Sequence, residues 1–139
     1  MYNLGRCYEN GIGTDVNKQK AFKLYQKVAN SGYSYGIYYL GRCYKKGIGT
    51  DINVQKAFEL YQKAIDLGNS DGINGLGCCY YNGSGTKINM QEAFELFQKA
   101  AKLGNDCAQY NLALKYEYGD GTKKNMDKAI YWYKKWITM

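Results

Sequence analysis

One feature constrains this chain more than any other: it repeats itself every 36 residues. Leu-Gly stands at Leu4-Gly5, Leu40-Gly41 and Leu76-Gly77, and becomes Leu112-Ala113 at the fourth occurrence. Tyr8, Tyr44, Tyr80 and Tyr116 keep the same step, as do Gly11, Gly47, Gly83 and Gly119. So do Asn17, Asn53, Asn89 and Asn125, and Ala21, Ala57, Ala93 and Ala129. Residues 4–39 and 40–75 are identical at 23 of 36 positions. Self-similarity at this period marks an array of one supersecondary unit. The units run over residues 1–32, incomplete at the start, then 33–68, 69–104 and 105–139.

The unit reads as two helices. In the second copy, Gly36, Ile37, Leu40, Gly41 and Tyr44 have helical spacing, which predicts a first helix from near Ser34 to near Lys46. Gly47-Ile48-Gly49-Thr50 breaks it, with Gly47 suited to the left-handed residue that follows a helix. Asn53 is placed to cap a second helix, which carries Ala57, Phe58, Leu60, Tyr61, Ala64, Ile65 and Leu67. Those residues cover more than one stripe, so the second helix is expected to be buried on two sides: by its own partner and by the first helix of the next unit. Small residues at Gly36, Gly72 and Ala108, and at Gly41, Gly77 and Ala113, imply close helix approach. Glycine inside a helix costs about 1 kcal/mol relative to alanine, so its recurrence in register needs such a reason.

The pattern Leu-Gly-x-x-Tyr-x-x-Gly-x-Gly-Thr, followed by Lys-Ala-Phe-x-Leu-Tyr-Gln-Lys-Ala and Gly, resembles the Sel-one-like repeat, a tetratricopeptide-like unit. Lys56–Ala64 carries the second motif in full. The resemblance implies an all-α fold, a right-handed α-solenoid of helix-turn-helix repeats, acting as an adaptor or scaffold for other proteins. Two departures stand out in the fourth repeat: Ala113 replaces Gly, and Lys115 replaces Cys. The array is expected to be part of a longer one, because Met1 enters partway through a first helix. The last helix carries Tyr131, Trp132, Tyr133, Trp136 and Ile137, so end-to-end pairing through Trp132 and Trp136 is a further expectation.

Residues that build a repeat fold recur, whereas residues that grip a partner are free to differ between units. On the first helix of repeat two, Tyr35, Tyr38, Arg42, Lys45 and Lys46 form one stripe, separate from the apolar one. The same stripe is Asp71, Asn74, Cys78, Tyr81 and Asn82 in repeat three, and Cys107, Tyr110, Leu114, Glu117 and Tyr118 in repeat four. Solenoids bind along the concave surface that first helices line. Tyr and Arg are favoured at interface hot spots. Tyr35, Tyr38, Arg42, Lys46, Asn74, Tyr81, Tyr110 and Glu117 are therefore the candidate partner-binding residues. The competing reading is a structural spacer whose groove holds nothing.

Other chemistries find little support. The chain has no His and no Pro among its 139 residues. Gly11-Ile12-Gly13-Thr14 follows a helix rather than a strand and recurs in every unit, so it is a turn and not a phosphate loop. Catalysis needs polar groups converging in a pocket, and no enzymatic role is expected. Cys7, Cys43 and Cys79 share one repeat position and read as small buried hydrophobes. With no Cys-x-x-Cys pair, neither zinc nor any other cofactor is expected. Five thiols and no evident leader suit a reducing, cytoplasmic setting. No run of about 18 apolar residues exists to insert into a membrane. The formal net charge is +7, but residues 76–111 are neutral. That spread suits solvated helix faces, or an acidic partner segment, better than nucleic acid, which demands one basic face.

Overall fold

The computed structural model describes residues 2–138. Among them the chain forms eight α-helices: α1 (Tyr2–Asn10), α2 (Lys18–Asn30), α3 (Ser34–Lys46), α4 (Val54–Asp66), α5 (Ser70–Asn82), α6 (Met90–Lys102), α7 (Asp106–Tyr118) and α8 (Met126–Ile137). The described residues contain no strand. Each repeat is a helical hairpin, as the spacing predicts.

The repeated polar and glycine positions set the helix ends. Asn17, Asn53, Asn89 and Asn125 are extended, and each side-chain oxygen accepts the backbone N–H three residues on, at 3.0–3.1 Å. That bond satisfies one of the donors a helix start leaves open and is worth about 1 kcal/mol. At the other end of α3, Gly47 is left-handed at φ 72° and donates its N–H to Cys43 O at 2.8 Å. The Asn53 N–H then returns to Tyr44 O at 2.7 Å, closing the loop between the two helices.

The chain divides into two compact units, residues 1–72 and 73–139. In the first, α2 packs against both α1 and α3, and α3 against α4. The second helix of the repeat is thus buried on two sides, as its broad apolar surface requires. The core holds Ala21, Tyr25, Cys43 and Ile48, with Tyr8, Phe22 and Tyr39 around them. Phe22 meets Tyr44 edge-on at 5.6 Å. Close approach explains the in-register glycines. A Cβ on Gly36 would lie 2.6 Å from Val28 Cγ1 and 2.8 Å from Ala29 N, and one on Gly41 would press the Tyr61 ring at 3.0 Å.

The second unit repeats the scheme. α7 packs against α6 and α8. A Cβ on Gly77 would meet the Phe97 ring at 2.8 Å, and Phe94 meets Tyr116 edge-on at 5.3 Å, the counterpart of Phe22 and Tyr44. Ala108, Leu112 and Ala113 are sealed in this core. Cys43 and Cys79 are fully buried, and Cys7 is half-buried. Burial, reinforced by the charge of Glu9, pushes the Cys43 thiol up to about 12, so it behaves as the small hydrophobe its position suggests.

Candidate protein-interaction face

The stripe residues come from α3, α5 and α7, the first helices of their repeats. In the first unit, Tyr35 is 38% exposed and stacks on Tyr33 at 5.6 Å. One turn on, Tyr38 is half-buried between Tyr39 at 5.1 Å and Tyr61 at 5.6 Å. Arg42 is also half-buried and closes on Glu9 of α1 with both forks, at 3.2 and 3.0 Å. Its guanidinium lies over the Tyr39 ring at 5.5 Å. Lys46 is exposed.

Glu9 is the centre of that cluster. It also accepts the Tyr25 hydroxyl at 2.8 Å, while Tyr25 stacks on Tyr39 at 5.2 Å. Burial on its own would raise the Glu9 carboxyl. The hydrogen bonds from Arg42 and Tyr25 outweigh it and hold the group below the usual carboxylate value. Burial and the adjacent carboxylate push the Tyr25 phenol far up, so it stays a donor.

In the second unit the stripe is less uniform. Asn74 is buried, and its side-chain oxygen accepts from Asn111 Nδ2 at 3.0 Å. Tyr81 is half-buried beneath Lys115, whose ammonium sits 3.6 Å from the ring centroid. Tyr110 is 39% exposed and leans on Trp136 at 4.9 Å and Tyr133 at 6.0 Å. Glu117 is half-buried and accepts the Tyr133 hydroxyl at 2.6 Å. Burial and the Glu117 carboxylate together push the Tyr133 phenol well up. Trp132 is half-buried and edge-on to Tyr131 at 5.1 Å, whereas Trp136 is 39% exposed.

The eight candidates therefore fall into two sets. Arg42 with Glu9, Tyr38 with Tyr61, Asn74 with Asn111 and Tyr81 with Lys115 join helices within their unit. Tyr35, Lys46 and Tyr110 present surface, and Glu117 offers a carboxylate engaged on one side. Two features went unread in the sequence. One is the bond from a tyrosine to a glutamate 16 residues earlier. It had a visible signal, since Glu9 and Glu117 share one repeat position and Tyr25 and Tyr133 another. The second is the role of Lys115. At a position otherwise held by cysteine it is 7% exposed, faces Tyr81, and has Asp120 at 4.0 Å. Burial lowers its ammonium pKa, and Asp120 opposes that shift. Among the described residues no group of three His, Cys, Asp or Glu gathers as metal ligands, and no helix is long and apolar enough to cross a membrane.

These helical hairpins, repeated with a fixed period, define an α-solenoid repeat protein. The Sel1 repeat matches at residues 1–33, 34–69, 70–105 and 108–139, so the chain belongs to the Sel1 repeat family. Solved structures agree. A Sel1 repeat protein from Oxalobacter formigenes superposes with a TM-score of 0.80 and 28% identity, over 99% of this chain and 56% of that one. The protective antigen c5321 of uropathogenic Escherichia coli, described as displaying an SLR fold, gives 0.79 and 30% over 99% of this chain and 29% of that one. Helicobacter pylori cysteine rich protein B gives 0.66 and 27% over 88% of each. The chain thus spans 56% and 29% of the first two proteins. No curated protein matches its sequence. Sel1 repeat proteins are helical repeat modules for protein interaction, and the family's repeat is a scaffold rather than a catalytic unit.

Proposed function

We propose that this chain is a protein-interaction adaptor that carries no catalytic activity and holds a partner peptide or domain along the face built from its first helices. One observation carries the reading. The recurring positions are spent on packing and capping, while exposed aromatic and charged side chains on the first helices change from repeat to repeat. Tyr35 and Lys46 have Asp71 and Asn82 as their counterparts in repeat three, and Cys107 and Tyr118 in repeat four. Tyr35 and Tyr110 are each more than a third exposed on these helices. Aromatic side chains there supply contact area at low entropic cost.

The test compares residues 1–139 with a triple variant, Tyr35→Ala, Lys46→Ala and Tyr110→Ala, in quantitative affinity capture from native lysate. A second triple variant, Lys27→Ala, Lys63→Ala and Lys99→Ala, controls for the exposed side of the second helices. Helicity is checked for all three. The expected result is a specific protein retained by the parent and the lysine variant and lost by the first variant. Capture lost only with the lysine variant moves the interface to the second helices. Reproducible failure to capture any protein supports the spacer.

A further inference from the structure

Helix α3 departs from the other first helices at both of its ends. At the start, Tyr33 holds the repeat position of Asn69 and Asn105. Those asparagines cap their helices, accepting the N–H of Gly72 at 3.2 Å and of Ala108 at 2.9 Å. Tyr33 makes no such bond. Repeat two thus gives up a stabilising cap and gains an exposed ring, which stacks on exposed Tyr35 at 5.6 Å. At the other end stand Lys45 and Lys46. Their counterparts are Glu9 and Asn10 in α1, Tyr81 and Asn82 in α5, and Glu117 and Tyr118 in α7. Cations suit the last turn of a helix, but the fold does without them at these positions in the other three repeats.

The charge of α3 is unbalanced as well. The helix carries Arg42, Lys45 and Lys46 and no acid. Arg42 is committed to Glu9 of α1. Lys45 forms no ion pair among the described residues, and Asp51 in the loop beyond pairs with neither lysine. Lys46 is exposed. This is an interior repeat, with repeats one and three on either side in the sequence. We propose that α3 docks a short acidic segment of a partner protein, with paired carboxylates on Lys45 and Lys46 and an apolar side chain on the Tyr33–Tyr35 stack. From Tyr35 to Lys46 the helix rises about 16 Å, which an extended chain covers in about five residues. The occupant is an isolated acidic segment and not a long polyanion. A duplex needs one continuous basic face, whereas the first helices of repeats three and four carry Asp71, Asp106 and Glu117. This inference rests on the chain being an interaction module and names the chemistry of its ligand.

The probes are fluorescein-labelled peptides in which a leucine and a pair of glutamates are separated by serine spacers of increasing length. Binding to residues 1–139 is followed by fluorescence anisotropy at low salt. Affinity should peak with the glutamates about five residues from the leucine. It should fall at least about fivefold when glutamines replace the glutamates, since two exposed ion pairs are lost. The double variant Lys45→Gln, Lys46→Gln should lose that preference, and Lys45→Arg, Lys46→Arg should keep it. Lys99→Gln, Lys102→Gln makes the same change in net charge on a second helix and should leave binding unchanged. Tyr35→Ala should weaken the leucine peptide severalfold and spare one with serine in place of leucine. Equal affinity for glutamate and glutamine peptides, no binding up to millimolar peptide, or equal losses in the two lysine-to-glutamine variants overturns the proposal. Binding to anionic phospholipid vesicles or duplex DNA that Lys45→Gln, Lys46→Gln abolishes, without glutamate-selective peptide binding, reassigns the lysines and overturns it too. A native protein captured through Tyr35 that persists in the Lys45→Gln, Lys46→Gln variant sinks the acidic ligand alone. Failure of capture with glutamate-selective peptide binding intact sinks the wider reading alone.

Discussion

Glu9 shows how much a single side chain decides in a repeat this regular. Its carboxylate is 8% exposed and joins three helices through Tyr25 and Arg42. Arg42→Ala strips a buried carboxylate of both guanidinium contacts and leaves it the Tyr25 hydroxyl, and should cost about 1–3 kcal/mol in urea unfolding. The pH dependence follows from the depressed Glu9 carboxyl. Its stabilisation is fully present above the unfolded-chain value of about 4.5 and is lost as pH falls through the lower folded value. The melting temperature of the parent should therefore fall more steeply below pH 4.5 than that of Glu9→Gln. Parallel curves would mean that the ion pair does not contribute. Arg42 also shows where sequence reading stops. Helical spacing places it correctly on the stripe with Tyr35 and Lys46. Spacing carries no information about a carboxylate 33 residues earlier that folds in beside it, or about Asn111 reaching Asn74.

Helices and loops were more legible, because their boundaries rest on local chemistry. The capping asparagines and the left-handed Gly47 stand where their residue types predict. Repeated left-handed glycines nevertheless do different work. Gly68 and Gly49 have φ of 84° and 72°. A Cβ on Gly68 would meet nothing within 4 Å, whereas one on Gly49 would run into the Lys18 carbonyl and the Phe22 side chain. Gly68→Ala should thus cost only the left-handed strain, about 1–2 kcal/mol. Gly49→Ala should cost clearly more, because a backbone carbonyl must move as well. Chemical denaturation of the two variants checks this, and equal losses would show that the loop yields freely. The motif could not separate them, since the difference lies in what the preceding repeat brings to the loop of Gly49.

For the whole molecule, the period of 36 residues was the decisive signal, and the Sel1 repeat matches at four places confirm what it implied about fold class. A stacked array spends its recurring residues on neighbours, and the proposed function therefore rests on what does not recur. Family membership places the chain among helical repeat modules for protein interaction, and the proposed interface lies in side chains that no repeat motif contains. Tyr35 and Tyr110 belong to that set, and Lys27, Lys63 and Lys99 belong to the recurring one. The most direct test of this division is site-specific photo-crosslinking in the native cell extract. Benzoylphenylalanine is placed singly at position 35, 110, 27, 63 or 99. One reproducible protein adduct is expected from positions 35 and 110 and none from 27, 63 and 99. The same adduct from the lysine positions, with none from 35 and 110, would contradict it.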